Sequence, residues 1–359
     1  MATKTIIPLI LILTLLGAVG YVRGGRPQSV HPTTQAITSM IGDGDGFAWV
    51  EVAPPSPDAP DAPPAAPGGT VYVLAKGADT AVCLYSEPHI TDIALAGDKV
   101  IAIETDGTTG AVLSIPRSGG QPVVLSQGLS QPAGLAESDG TVYWTETRGS
   151  LTPRVAHIPA VSPRTTIYGT TGGAAPTSIA VIESGPEGFR GKLLGTKGDR
   201  VYWLERTGIS GMRGWTAIRS TPVNRGQTET LLTQRSNAND AVLVGTALHY
   251  TSPSQDGGAP LKYRCVERMD ITTGESETLT DWLPVNGELA VHEGKVYYTA
   301  PGGTWAVPNE LAPPRLIGKF RASGHELVVQ GRFLYEASEG GIVKLPLTLA
   351  GRYIAALGG

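Results

Sequence analysis

A unit of roughly 46 residues recurs along most of this chain, and a period of that size restricts the architecture more than any local propensity. Residues 90–104, ITDIALAGDKVIAIE, align with residues 37–51, ITSMIGDGDGFAWVE, with little adjustment. Further copies are PAGLAESDGTVYWTE at 132–146, DAVLVGTALHY at 240–250, GELAVHEGKVYYTA at 287–300 and HELVVQGRFLYEA at 325–337. GDRVYWLE at 198–205 completes the set. Each copy is an apolar run, a Gly/Asp turn, then an alternating strand rich in aromatic residues. Two more strands follow it, as in AVLSIPRSGGQPVVLS at 111–126 and GIVKLPLTLAGRYIAAL at 341–357.

Four short strands per unit, bounded by turns, is the pattern of a β-propeller blade. Seven units start near residues 37, 90, 132, 176, 238, 287 and 325, and the count becomes six only if the first unit pairs differently. Both the first and the last unit read as complete, so the pattern does not require the chain termini to exchange a strand. The 47 glycines and 28 prolines in 359 residues fit an architecture that needs several turns per unit. Strands buried on both faces leave few solvent positions, which accounts for a charged fraction of only 17%. A net charge of -4 argues against a nucleic-acid partner, which calls for a basic face. Cys83 and Cys265 fall in units far apart in a ring and read as two buried free thiols.

Residues 6–22, IIPLILILTLLGAVGYV, carry no charge and stand between Lys4 and Arg23. As a helix the run would span about 25 Å, the short end of what crosses a bilayer. A cleaved signal peptide competes with this reading, since Ala18-Val19-Gly20 is a weak cleavage pattern. The length of the run and the flanking arginines favour an uncleaved anchor. The organisation read from the sequence is therefore a transmembrane anchor over residues 1–24, a tether over 25–36 and a propeller over 37–359. The flanking charges nearly balance, and ordinary secretory targeting orients the propeller to the extracytoplasmic side, with the cytoplasmic face as the alternative.

Val142-Tyr143-Trp144-Thr145-Glu146 resembles the YWTD signature of the low-density-lipoprotein-receptor type of propeller. Phe47-Ala48-Trp49-Val50-Glu51, Val201-Tyr202-Trp203-Leu204-Glu205 and Val296-Tyr297-Tyr298-Thr299-Ala300 are weaker echoes. That family is typically six-bladed with Asp at the fourth motif position, where this chain has Glu or Ala. The resemblance implies a propeller used for protein binding. Physically, the same aromatic residues suit strands sandwiched between neighbouring blades, so they are expected in the core.

Alignment of the units places one position at the start of each innermost strand, filled by Ser39, Asp92, Gly134, Asp240, Glu288 and His325, with the fourth unit left unassigned because an insertion interrupts it. Asp92, Asp240, Glu288 and His325 converging at one mouth of the central channel would suit a hard divalent cation such as Ca2+. Propeller lactonases place a metal in a comparable position, which gives the alternative of an extracytoplasmic metal-dependent hydrolase. Against that stands the ordinary role of polar groups at such a mouth, which is to bind water and neighbouring backbone. Asp43-Gly44-Asp45-Gly46 begins like a calcium loop but lacks the later ligands and aligns with plain turns elsewhere.

Insertions at 53–69, 206–215 and 252–260 all join second to third strands, on the face where innermost strands begin. Loops on a rigid scaffold carry function more often than strands. Arg206, Arg213 and Trp215 are the candidate partner-binding residues, because Arg and Trp are enriched among interface hot spots. A further insertion at 183–191 is expected on the opposite face. The functional expectation is a non-catalytic, protein-binding or accessory subunit of a membrane or envelope assembly, with no cofactor and with the bilayer engaged through residues 6–22.

Overall fold

The computed structural model describes residues 28–52, 68–106, 108–149, 164–183, 190–207, 215–234, 240–253, 263–284, 288–300, 303–307, 315–318, 326–338 and 340–347. Within them every regular element is a strand, and the strands form seven four-stranded antiparallel sheets. Blade one covers residues 36–88, blade two 90–130, blade three 132–183 and blade four 190–234. Blade five covers 241–284 and blade six 289–318. The expected seven-bladed propeller is what the chain forms. No helix among the described residues is long and apolar enough to cross a membrane, and residues 6–22 lie outside them.

Each blade buries both faces against its neighbours, so the core is a ring of seven apolar seams rather than one centre. The pairing register shows how the repeated strand supplies that ring. Trp49 pairs with Met40, Trp144 with Leu135, Trp203 with Leu193, Tyr250 with Ala241 and Tyr298 with Leu289. These five aromatic residues occupy one structural position, and all are fully buried. In blade two the same position is Ala102, opposite Ile93, and in blade seven it is Glu336, opposite Leu327. The aromatic stripe is core, as its pattern indicates.

Blade seven is assembled from both ends of the chain. Its inner three strands are Leu327–Gln330, Phe333–Ser338 and Gly341–Pro346, and its outermost strand is Gln28–Pro32. Gln28 pairs with Lys344 and Pro32 with Gly341. This corrects both the tether assigned to residues 25–36 and the reading of the last unit as complete. The error has a physical source: QSVHP is short, polar and largely exposed, with none of the apolar alternation that marks the other strands. Its place is fixed instead by side chains of blade one. His31 Nε2 lies 2.7 Å from Glu51 Oε1, and the Thr33 hydroxyl donates to Glu51 Oε2 at 2.9 Å. The His31 ring also packs against Trp49 and Tyr72.

Gly341 makes this closure possible, with φ at +114° and with His31 O only 2.0 Å from where a Cβ would stand. Gly341→Ala is expected to cost about 2–3 kcal/mol through strain and displacement of the closing strand. Hydrogen exchange at residues 28–32 should accelerate well before the other blades are affected. Unchanged protection there would refute this account of closure.

A second correction concerns blade four, whose expected start near residue 176 falls in the outermost strand of blade three, Thr177–Glu183. Blade four begins at Arg190. The segment 150–163, which joins the second and third strands of blade three, lengthens that unit and shifted the reading. The stretch between Glu183 and Arg190 is thus a connection between blades. Both of its flanking strand ends lie on the face where innermost strands begin, not on the opposite face.

Candidate functional site

Innermost strands run in one direction around the channel, so their first residues gather at one mouth. The residues found there are Ser39, Asp92, Gly134, Lys192, Asp240, Glu288 and Glu326. Backbone pairing settles the last three blades. Thr251 N–H donates to Asp240 O, Thr299 N–H to Glu288 O and Ala337 N–H to Glu326 O, each at 3.1 Å. Glu326 therefore takes the place assigned to His325, which lies outside the described residues. In blade four the position is Lys192, a cation in a ring that also holds four carboxylates.

The carboxylates mostly bind the next blade. Asp92 Oδ1 accepts the N–H of Ile93, and its Oδ2 accepts the N–H of Leu135 in blade three, both at 2.9 Å. Asp240 repeats the arrangement: Oδ1 accepts Ala241 N–H at 2.8 Å and Oδ2 accepts Leu289 N–H in blade six at 2.9 Å. Glu326 Oε2 accepts Met40 N–H in blade one at 2.9 Å. β-Bulges interrupt the innermost strands at Ile37/Ser39, Ile90/Asp92 and Ala133/Leu135. A bulge removes backbone groups from the ladder, and the N–H groups of Met40 and Leu135, just past two of them, are taken up by the preceding blade. Lys192 Nζ reaches Asp240 Oδ1 at 2.8 Å, which joins blades four and five.

Electrostatics follow from this crowding. Burial pushes Asp92 up to about 6, although the Leu135 and Ile93 N–H groups, Lys192 and the Ser39 hydroxyl all favour its charged form. Glu288 is raised furthest, first by burial and then by the charges of Glu326 and Asp240, with Lys192 and Arg206 offsetting in part. Burial likewise raises Glu326, against its Met40 hydrogen bond and Lys192. Desolvation works against the Lys192 ammonium, yet Asp240, Glu288 and Glu326 hold it above its ordinary range. Glu288 and Glu326 thus retain protons to a higher pH than ordinary glutamates.

Among the described residues no group of three or more His, Cys, Asp or Glu side chains is arranged to hold a metal ion. The proposed ligands Asp92 and Asp240 belong to different parts of the ring, and each is engaged by main-chain donors. Asp43 caps its own turn through the N–H groups of Asp45 and Gly46 and pairs with Arg117 of blade two. Cys83 and Cys265 are both free, as expected, but Cys83 is exposed rather than buried.

The motif glutamates are structural too. Glu51, Glu146 and Glu205 are buried at the ends of second strands. Trp49 Nε1–H donates to Glu51 Oε1 at 2.9 Å, Ser130 N–H donates to Glu146, and Arg219 pairs with Glu205 at 3.1 Å. Of the partner-binding candidates, Arg206 is exposed near the end of a second strand, Arg200–Thr207, and its charge is felt by Glu288. Trp215 opens the third strand opposite Thr207, and Arg213 lies outside the described residues. Sequence reasoning missed Lys192 and Glu326. Both were recoverable from the apolar residue that follows each of them, Leu193 and Leu327, which faces the position of the second-strand aromatic.

No protein-family model matches this chain, and no curated protein matches it. Among solved structures it is similar to an oligogalacturonate lyase in complex with manganese, at 11% identity over 90% of this chain and 98% of that one, with a TM-score of 0.59. It is similar to the acylaminoacyl peptidase of Pyrococcus horikoshii, at 11% identity over 87% of this chain and 51% of that one, TM-score 0.58. Sqt1 of Saccharomyces cerevisiae matches at 7% identity over 90% and 97%, TM-score 0.52. At such identities the likeness is one of fold. The protein is a seven-bladed propeller.

Proposed function

We propose that this chain is a membrane-tethered propeller that serves as a non-catalytic, protein-binding subunit of a membrane or envelope assembly. The observation that carries the reading is the use made of the channel-mouth carboxylates. Asp92, Asp240 and Glu326 hold main-chain N–H groups of the following blade, so groups that otherwise suit acid/base or metal chemistry secure the ring. The same face carries the strand ends joined by the segments 53–67, 150–163, 208–214 and 254–262. A rigid frame with elaborated connections on one face suits recognition by surface complementarity. The apolar run at 6–22 confines the disc at a bilayer and raises its effective concentration toward neighbours there.

Affinity capture of the full-length chain from detergent-solubilised membranes tests this. The wild type should recover a partner, and Arg206→Ala with Trp215→Ala should lower recovery about tenfold or more, the loss of one hot spot. The melting temperature should stay unchanged. Recovery of the chain alone, or equal recovery by the double variant, would overturn the reading. Ca2+-dependent stabilisation of the purified protein, lost in Glu288→Ala, would instead favour a metal-dependent hydrolase.

A further inference from the structure

We propose that two segments of this chain are built to fill the outer edge of blade seven, Gln28–Pro32 and residues 352–357, and that the second takes the edge when the first is withdrawn. The inference stands apart from the partner-binding reading above and starts from a device present in every blade. In each outermost strand the pairing register skips an apolar residue: Leu84, Leu125, Ile179, Leu231, Leu279, Ile317 and Val30. A bulge of this kind re-aims a side chain. Here each skipped residue packs into a different one of the seven apolar seams. An outermost strand is thus marked by one apolar residue at a set distance from the third strand.

That distance is eleven residues from Val73 to Leu84, Ser114 to Leu125, Ser220 to Leu231, Arg268 to Leu279 and Ala306 to Ile317. In blade three it is ten, from Gly169 to Ile179. The equivalent third-strand residue of blade seven is Lys344, which pairs with Gln28. Ten residues beyond Lys344 stands Ile354, within Arg352-Tyr353-Ile354-Ala355-Ala356-Leu357. Residues 352–357 lie outside the described residues, and their spacing and apolar character are what bear on the edge. In the register of blade three, Tyr353 would face Val343, where Ser29 now stands, and Ile354 would take the seam position of Val30. Gln28–Pro32 holds the edge through Glu51, which grips His31 and Thr33. Ala355 and Leu357 would fall at those two places and offer Glu51 nothing. Residues 352–357 have a different advantage, since they follow the third strand directly and close a short loop. The seam is sealed by either segment, so the N-terminal strand can leave without opening the ring.

The full-length chain in a Cys83→Ser background, with Ser29→Cys, Val343→Cys and Tyr353→Cys, lets one central thiol choose between the two strands under mild oxidation, while Cys265 stays buried. Residues directly opposed on paired strands stand within disulfide reach. Peptide mass spectrometry should find the 29–343 link in at least about tenfold excess over the 343–353 link. Adding Val30→Asp, which puts a charge into the seam, should reverse that ratio. Adding His31→Ala instead, which only removes a contact with Glu51, should shift it the same way by at least about threefold. Ile354→Asp combined with either change should abolish the gain in the 343–353 link, which nearness along the chain alone would not do. A ratio that neither change moves, a 343–353 link indifferent to Ile354→Asp, or a link joining two chains would overturn the proposal. His31→Ala, with and without Ile354→Asp, decides the matter even if Val30→Asp fails to fold.

Discussion

Asp240→Ala is expected to lose about 3–4 kcal/mol of stability, measured as a fall in the urea midpoint, while Glu288→Ala at the neighbouring position of the same ring loses less than about 1 kcal/mol. The two residues look alike in the repeat, but their surroundings differ. Asp240 is 3% exposed and satisfies two main-chain N–H groups, of Ala241 and of Leu289 in the next blade. Truncation leaves both donors buried without an acceptor, at about 1–3 kcal/mol each. Lys192 also loses its partner, but half of that side chain is exposed and water can take it over, so it adds little. Asp240→Asn keeps one acceptor and should fall between. Glu288 accepts no hydrogen bond through its carboxylate among the described residues and is repelled by Glu326 and Asp240. Its removal relieves that repulsion. Equal losses at the two positions would refute the division of labour within the ring.

Glu336→Gln is expected to stabilise the protein above neutral pH by about 3 kcal/mol while changing little at pH 4.5. Glu336 stands where five of the other six blades place Trp or Tyr, is fully buried, and accepts a hydrogen bond from Thr304 of blade six through Oε2. Oε1 has no partner among the described residues. Burial pushes its carboxyl from 4.5 up to about 7, with the Thr304 bond offsetting in part. The folded state thus binds this proton more tightly than the unfolded state does. Its contribution is fully present below pH 4.5, is lost as pH rises to about 7, and is flat beyond. At about 1.4 kcal/mol per pKa unit the loss comes to about 3 kcal/mol. The difference between variant and wild-type midpoints, followed from pH 4.5 to 8, isolates this residue from Asp92 and Glu326, which titrate in the same direction. Parallel curves would sink the idea.

Much of the architecture was legible because the blade's second strand is sandwiched between neighbours, and the sandwich selects residues such as Trp49, Trp144, Tyr250 and Tyr298. Glu336 escaped attention for the converse reason: it breaks the pattern at the one place where chemistry replaces packing. The ring of carboxylates was legible as a position but not as a role. Whether Asp92 faces a ligand or the N–H of Leu135 depends on a bulge and on the next blade, both invisible in a single strand. A slip of one residue was enough to exchange His325 for Glu326, because alternate residues of a strand point to opposite faces. The closing strand lay beyond reach altogether, since its partners are some three hundred residues away and its own sequence is polar.

That separation has a consequence for how the protein is made. Gln28–Pro32 leaves the ribosome some three hundred residues before its partner Gly341–Pro346. Until that partner emerges, the early strand has no edge to join, and blade one lacks its flanking seam. The other blades can form in order as they emerge, each supported by the one before. Completion of the ring is a late event with a long loop to close, and growing chains carry an unpaired edge while the intervening blades are made. Chaperone dependence should therefore be concentrated on the nascent chain and should end abruptly once the last blade is released.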